Sequence, residues 1–335
     1  MGNSMEGRVC VVTGAGRGIG ASVSRLLAAE GAAVVVNDLG VAVDGTMPDD
    51  LPAQQVVDEI KAAGGRAVAN YDNVADSDAA ENIIRQALNE YGRLDVLVNV
   101  AGILRDRMVF NLSKEDWDAV VDVHMGGTFN TSRFASIYWR QAKEGKYRLI
   151  NFTSGSGLFG APGQPNYAAA KMGIVGFTYS CANALARYGV TSNAIAPGAS
   201  TRMTDTVPED RRRNMSVATA ENPERSPDNI AIPVAYIAGR ESDWLNGQVI
   251  GSSGYRITLY NKPEPLRELL APRRWSLEDQ PPRRLPRGPR GNSPPGRARR
   301  GYYHQHRHRP RTPASWPGNW RRHTHGRLRQ LQVRH

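Results

Sequence analysis

The sequence predicts an α/β fold: a doubly wound, parallel sheet of seven strands in one domain, followed by a tail of different character. Three observations predict it. Short β-branched runs alternate with segments of helical period along residues 8–254. Mostly apolar strands separated by helices belong to a parallel sheet covered on both faces. A glycine-rich turn, TGAGRGIG at residues 13–20, stands where the first strand gives way to the first helix. At 335 residues, 40% of them hydrophobic, the chain can bury a sizeable core.

Each element follows from its residues. RVCVVTG, residues 8–14, is a β-branched run closed by a glycine, and residues 19–31 then take helical period up to Gly31. AAVVVND (32–38), RAVANYD (66–72), LDVLVNVAG (94–102), YRLINFTS (147–154), VTSNAIAPG (190–198) and NGQVIGSSG (246–254) read as strands two to seven. Helical patterns fill the gaps at 53–63, 77–91, 114–143, 167–188 and 229–238. Residues 199–228 carry Pro208, Pro223, Pro227 and the run Arg211, Arg212, Arg213, with little core character. They read as a mobile substrate lid after the sixth strand, at the end where such sheets place a ligand crevice.

The charge is unevenly spread. Residues 281–335 hold fifteen arginines with no lysine and no acid, so of 43 basic and 32 acidic residues the first 280 keep 28 and 32. The body is near −4 and the tail +15, which removes the case for a nucleic-acid or membrane partner of the whole chain. The expected organisation is a domain over 1–270, a boundary at 271–280 and a disordered Arg/Pro/His-rich tail over 281–335. Such a tail suits either a nucleic-acid-binding arm or a change of reading frame near Gln280. The abrupt break in charge balance favours the second. Cys10 and Cys181 offer neither metal spacing nor a disulfide framework, and no apolar run nears the ~18 residues of a membrane span. A reducing cytoplasm is the simplest location, with no metal site.

The motifs then speak to chemistry. At the strand–helix junction a pyrophosphate can sit on a helix N-terminus, with Gly14 allowing the turn and Gly18 and Gly20 a close backbone approach. Asp38 ends the second strand twenty-four residues after Gly14, where a carboxylate binds ribose hydroxyls and repels a 2′-phosphate. That favours NAD over NADP, although Arg17 in the turn pulls the other way. Farther on, Ala168, Ala169 and Ala170 set Tyr167 and Lys171 one helical turn apart on a single face. A neighbouring ammonium is expected to lower a tyrosine pKa that is ordinarily near ~10, making Tyr167 a usable proton carrier.

Four ordered motifs carry a resemblance. The turn at 13–20 resembles the TGxxxGxG of the classical short-chain dehydrogenase/reductase family, Asn99-Val100-Ala101-Gly102 its NNAG, and Tyr167–Lys171 its YxxxK. Ser154, thirteen residues before Tyr167, stands where that family has its catalytic serine. The resemblance spans roughly residues 6–255 and implies a Rossmann-type domain. It further implies that Ser154 hydrogen-bonds a carbonyl oxygen and Lys171 holds the nicotinamide ribose. Asp72, Asn73 and Val74 would meet the adenine side, and Ile19, Asn99, Ala101, Gly102, Pro197, Gly198 and Thr201 would add cofactor contacts. His124 departs from the usual Asn, whose backbone carbonyl holds a relay water. A carbonyl does that work, and Gly126-Gly127 can ease the distortion.

Further stretches, among them VVVNDLG, NVAGILRDRMV and EDWDAVVDVHMGGTF, resemble the (3R)-hydroxyacyl-CoA dehydrogenase part of type 2 multifunctional enzymes. This implies oxidation at C3 of an acyl-thioester by a homodimer or homotetramer, joined through the 114–143 and Tyr167 helices. The alternatives are an NADPH-dependent 3-oxoacyl-thioester reductase, a hydroxysteroid dehydrogenase, or a catalytically silent binding protein with a nucleic-acid-binding tail. Intact Ser154, Tyr167 and Lys171 argue against the last.

Overall fold

Val9–Thr13 is wholly buried and forms β1; its alternate side chains point to opposite faces, so both faces must be covered. A computed structural model describes residues 3–46, 51–142, 145–199 and 223–266. The sheet runs in the order β3-β2-β1-β4-β5-β6-β7-β8. Its parallel members are β1, β2 (Ala33–Asn37), β3 (Arg66–Asn70), β4 (Val96–Asn99), β5 (Tyr147–Phe152), β6 (Val190–Pro197) and β7 (Val249–Ser253). All seven expected strands are present. Strand order reverses between β1 and β4, whose carboxyl ends meet at Thr13 and Asn99. That reversal opens the crevice.

Helices cover both faces. Cys10, Val12, Val34 and Val36 look to one side, against α1 (Gly18–Ala29), α2 (Pro52–Ala62) and the last helix, α8 (Asp228–Ala238). Val9, Val11, Val35 and Leu97 look to the other, where Ile83 of α3 (Ser77–Tyr91) and Trp139 of α5 (Gly127–Ala142) pack. The Trp139 indole N–H donates to the Leu94 carbonyl at 2.9 Å, so its polar end is satisfied within the core.

Several elements differ from the sequence expectation. The helix expected over 114–143 is divided: α4 (Lys114–Val121) passes through a π-turn at Asp122–Gly126 into α5. The distortion spans His124 and ends at Gly126-Gly127. The sheet also gains an eighth strand, β8 (Arg256–Tyr260), antiparallel to β7. Gly254, at φ +56°, begins a two-residue hairpin turn between them. With β8 exposed on much of its length, its short run carries little of the burial signal that marks the others.

A five-residue helix, α6 (Gly155–Phe159), follows β5, and α7 (Pro165–Leu185) starts with proline at its first position. Most of the expected lid, Thr201 with it, and residues 267–335, which include the expected boundary and tail, lie outside the described residues. Among the described residues no helix is long and apolar enough to cross a membrane, and no cluster of His, Cys, Asp or Glu is placed to hold a metal.

Candidate active site

The turn between β1 and α1 is shaped by what cannot fit there. Gly14 has φ +61°, and a Cβ on it would lie 2.7 Å from the Ala101 Cα. A Cβ on Gly20 would strike the Gly14 carbonyl. Asp38 ties the loop down: its Oδ2 accepts from the Gly16 N–H and its Oδ1 from the Gly40 N–H, both at 2.8 Å. Helix α1 has no side-chain cap at its N-terminus, so its first N–H groups suit an anion.

These glycines form one wall of a cleft of about 410 Å³ at the carboxyl ends of β1, β2 and β4. Gly14, Arg17, Gly18, Ile19, Gly20, Asp38, Asp72, Asn73, Val74, Ala101 and Gly102 all line it. Below Asp72, the Asn37 side chain donates to the Asn70 side-chain oxygen at 2.7 Å and to the Asp72 carbonyl at 2.8 Å, holding the ends of β2 and β3 together.

Asn99 does not line the cleft. Its buried amide accepts from Thr131 Oγ1 at 2.8 Å and donates to Ser132 Oγ and Asn151 Oδ1, bracing the floor between β4, β5 and α5. Pro197 and Gly198 line a separate hollow of about 210 Å³ beside Gly155.

Ser154, Tyr167, Lys171 and His124 do come together. Ser154 leaves β5 in extended conformation and caps α6, its Oγ accepting from the Ser156 N–H at 3.1 Å. Tyr167 lies in the first turn of α7, where the Ser154 side chain acts to favour its ionised form. Asn166 fixes that turn by donating to the carbonyls of Arg105 and Asp116. One turn on, buried Lys171 donates from Nζ to the Phe152 carbonyl at 2.8 Å, with Nζ 5.6 Å from the Tyr167 ring centre. The His124 ring stands edge-on to Tyr167, centroids 5.1 Å apart, and its Nε2 lies 2.9 Å from the Ile103 carbonyl. Ile103 itself lines the cleft, so the quartet adjoins the glycine cradle.

Burial governs the protonation of this group and corrects one expectation. It raises the Tyr167 hydroxyl above its ordinary value; the Ser154 side chain opposes the shift, and the Asp106 carboxylate adds to it. The same burial pushes Lys171 down to about 7. The expected lowering of the tyrosine by an ammonium is absent because each charged form loses its water. His124 is held well below its usual range by burial and then by Lys171. A neutral ring facing a carbonyl carries its proton on Nε2, leaving Nδ1 a bare, buried acceptor.

Sequence reasoning missed Asp106, Gln164 and Ser156. Their side chains link across 58 and 8 residues of separation, and no spacing rule marks such a contact.

A glycine-walled cleft at a strand-order reversal, with a half-buried Ser and Tyr and a buried Lys beside it, defines an oxidoreductase of the hydroxyl–ketone class. Residues 8–212 match the short chain dehydrogenase family, and the chain belongs to it. Enzymes of this family use a nicotinamide cofactor. The chain is 50% identical over 202 residues to the peroxisomal hydratase-dehydrogenase-epimerase of Neurospora crassa, covering 60% of this chain and 22% of that longer protein. It is 41% identical over 277 residues to the hydroxyacyl-CoA dehydrogenase ChsB1 of Mycobacterium tuberculosis, covering 80% and 84%. A crystal structure of a short chain dehydrogenase from Mycobacterium avium superposes with a TM-score of 0.71 at 44% identity, covering 82% of this chain and 92% of that one. The resemblance seen in the motifs is borne out at the level of family and branch.

Proposed function

We propose that the protein is an NAD-dependent dehydrogenase that interconverts the alcohol and ketone at C3 of an acyl-thioester. The observation that carries this reading is the convergence of Ser154, Tyr167 and Lys171 at the edge of the glycine-walled cleft. The cleft suits a dinucleotide, since Gly14, Gly18 and Gly20 line it without side chains and α1 opens on it with no side-chain cap. Asp38 and Asp72 lie at its far end, and Asp38 keeps a second lone pair on each carboxylate oxygen for a ribose hydroxyl.

When bound, the nicotinamide supplies the hydride acceptor. In the oxidative direction Tyr167, once ionised on the alkaline side, takes the substrate hydroxyl proton, while Ser154 donates to the oxygen that becomes the carbonyl. Lys171, kept in place by its bond to the Phe152 carbonyl, would hold the nicotinamide ribose. His124 keeps the Tyr167 ring in position, and its backbone carbonyl lies on the π-turn where a relay water can bind.

The thioester substrate is supported by the name of one relative that spans most of this chain, a hydroxyacyl-CoA dehydrogenase. A second reading, reduction of a 3-oxoacyl-thioester with NADPH, is favoured by Arg17, which lines the same cleft as Asp38. Self-association through α4, α5 and α7 is supported by Trp117, Phe129 and Met172, which stand exposed at 37%, 51% and 42%. The test is NADH formation with a panel of 3-hydroxyacyl-CoA esters and steroid alcohols, each with NAD and with NADP. Turnover of the thioesters with NAD upholds the reading; turnover of steroid alcohols alone, or a higher kcat/KM with NADP, overturns it.

A further inference from the structure

The residues 103–108, ILRDRM, pass the catalytic quartet, yet none of their charges takes part in the chemistry above. Arg105 lines the cleft but is engaged elsewhere, donating to the Asp44 carbonyl at 3.0 Å and pairing with Asp116 at 3.4 Å. Arg107 donates to the Asp106 carbonyl at 2.8 Å. Asp106 faces inward. Its Oδ2 accepts from Gln164 Nε2 at 2.8 Å, Gln164 Oε1 accepts from Ser156 Oγ at 2.7 Å, and the Ser156 N–H reaches Ser154 Oγ at 3.1 Å. A carboxylate only accepts, so it forces the Gln164 NH₂ toward itself and the amide oxygen toward the Ser156 hydroxyl. From the Ser156 hydroxyl to Asp106 the bonds thereby run in one direction, while the Ser156 backbone N–H donates the other way, to Ser154. The other Asp106 oxygen, Oδ1, is buried with no protein partner, as befits a group beside a reaction space.

We propose that Asp106 is a positioning residue for the Ser154–Tyr167 pair, fixing the 154–164 segment through Gln164 and Ser156 and setting a carboxylate at the start of the helix that carries the tyrosine. The kinetic part rests on the dehydrogenase reading above; the contact chain does not. Among the described residues the groups facing Tyr167 are Ser154 from the β5 end, His124 from the π-turn, Lys171 from its own helix and Asp106 from the loop after β4. Those acting on Asp106 are Gln164 and Arg107. Of these, only the Asp106 carboxylate disfavours the phenolate by its negative charge, so its removal eases Tyr167 ionisation.

The experiment uses the full chain as wild type, Asp106→Ala, Asp106→Asn, Gln164→Ala and the Asp106→Ala/Gln164→Ala double variant. Hydrogen exchange read by mass spectrometry over residues 155–164 should quicken in both alanine variants and no further in the double, since one chain is broken once. Asp106→Asn keeps an acceptor for Gln164 and should exchange as wild type does. With a 3-hydroxyacyl-CoA and NAD, Asp106→Ala should lose roughly ten- to a hundredfold in kcat with KM nearly unchanged. Asp106→Asn should instead move the alkaline rise of kcat to lower pH. Unchanged exchange in Asp106→Ala, additive effects in the double variant, or an Asp106→Asn pH profile that matches wild type would each overturn the proposal. Were the wild type to oxidise no such thioester, the dehydrogenase reading would fall, and the exchange data alone would uphold or overturn the contact chain.

Discussion

At the scale of single residues, Asp38 and Lys171 make opposite demands on the solvent. Asp38 stays half-exposed, with both carboxylate oxygens on backbone N–H groups of glycines, so its charge is fixed at the rim of the cleft. Asp38→Ala should narrow the preference for NAD over NADP, because a 2′-phosphate then meets no fixed negative charge; the ratio of the two kcat/KM values measures it. Lys171 is 4% exposed and its folded pKa of about 7 lies below the ~10.4 of an unfolded lysine. The unfolded chain therefore binds the extra proton between these values, and stability rises with pH across that window. The cost of burying the ammonium is fully present below pH 7 and gone above ~10.4. Lys171→Met should gain stability relative to wild type at pH 6 and lose that advantage as the pH approaches ~10.4, as thermal melts at a series of pH values would record. Identical pH dependence in the two proteins would mean that the lysine keeps its charge in the folded state.

At the scale of elements, the catalytic quartet depends on how a loop, a π-turn and a helix start meet. The Gly102 Cα faces the His124 ring so closely that an added Cβ would overlap its Cε1 and come 2.8 Å from Nδ1. That ring touches Tyr167. Gly102→Ala should thus cost about 1–3 kcal/mol of stability by overpacking and reduce kcat by displacing the ring, while circular dichroism stays that of the wild type. A variant as active as wild type would show that the β4 loop and the π-turn move independently.

Much of this scale was legible beforehand. Continuous β-branched runs such as Val34–Val36 mark a strand buried on both faces, and Gly126-Gly127 marked the place where a long helix is distorted. β8 was not legible, because its residues alternate without a buried face and its pairing depends on a hairpin at Gly254. Nor was the path from Asp106 to Ser154, which exists only once β4, β5 and α7 share a sheet edge. The protonation of Tyr167 was misjudged for a related reason: spacing reports who the neighbours are but not how much water they exclude.

At the scale of the whole molecule, the acid-rich body and the arginine-rich residues 281–335 pose separate questions. Each residue assigned a catalytic or cofactor role above lies before residue 202. A chain ending at Asp279 should therefore keep the kcat, KM and melting temperature of the full chain, and its affinity for single-stranded DNA should fall if the arginines bind phosphates. Loss of dehydrogenase activity on truncation would assign the tail a part in the site. The central claim itself concerns one hydroxyl. The most direct measurement compares Tyr167→Phe with wild type for NADH formation from a 3-hydroxyacyl-CoA, alongside the NADH dissociation constant from fluorescence titration. Tyr167 makes no contact needed to shape the glycine-walled cleft, so the account predicts that turnover vanishes while NADH binds with nearly its original affinity. Turnover in the phenylalanine variant equal to that of wild type would contradict it.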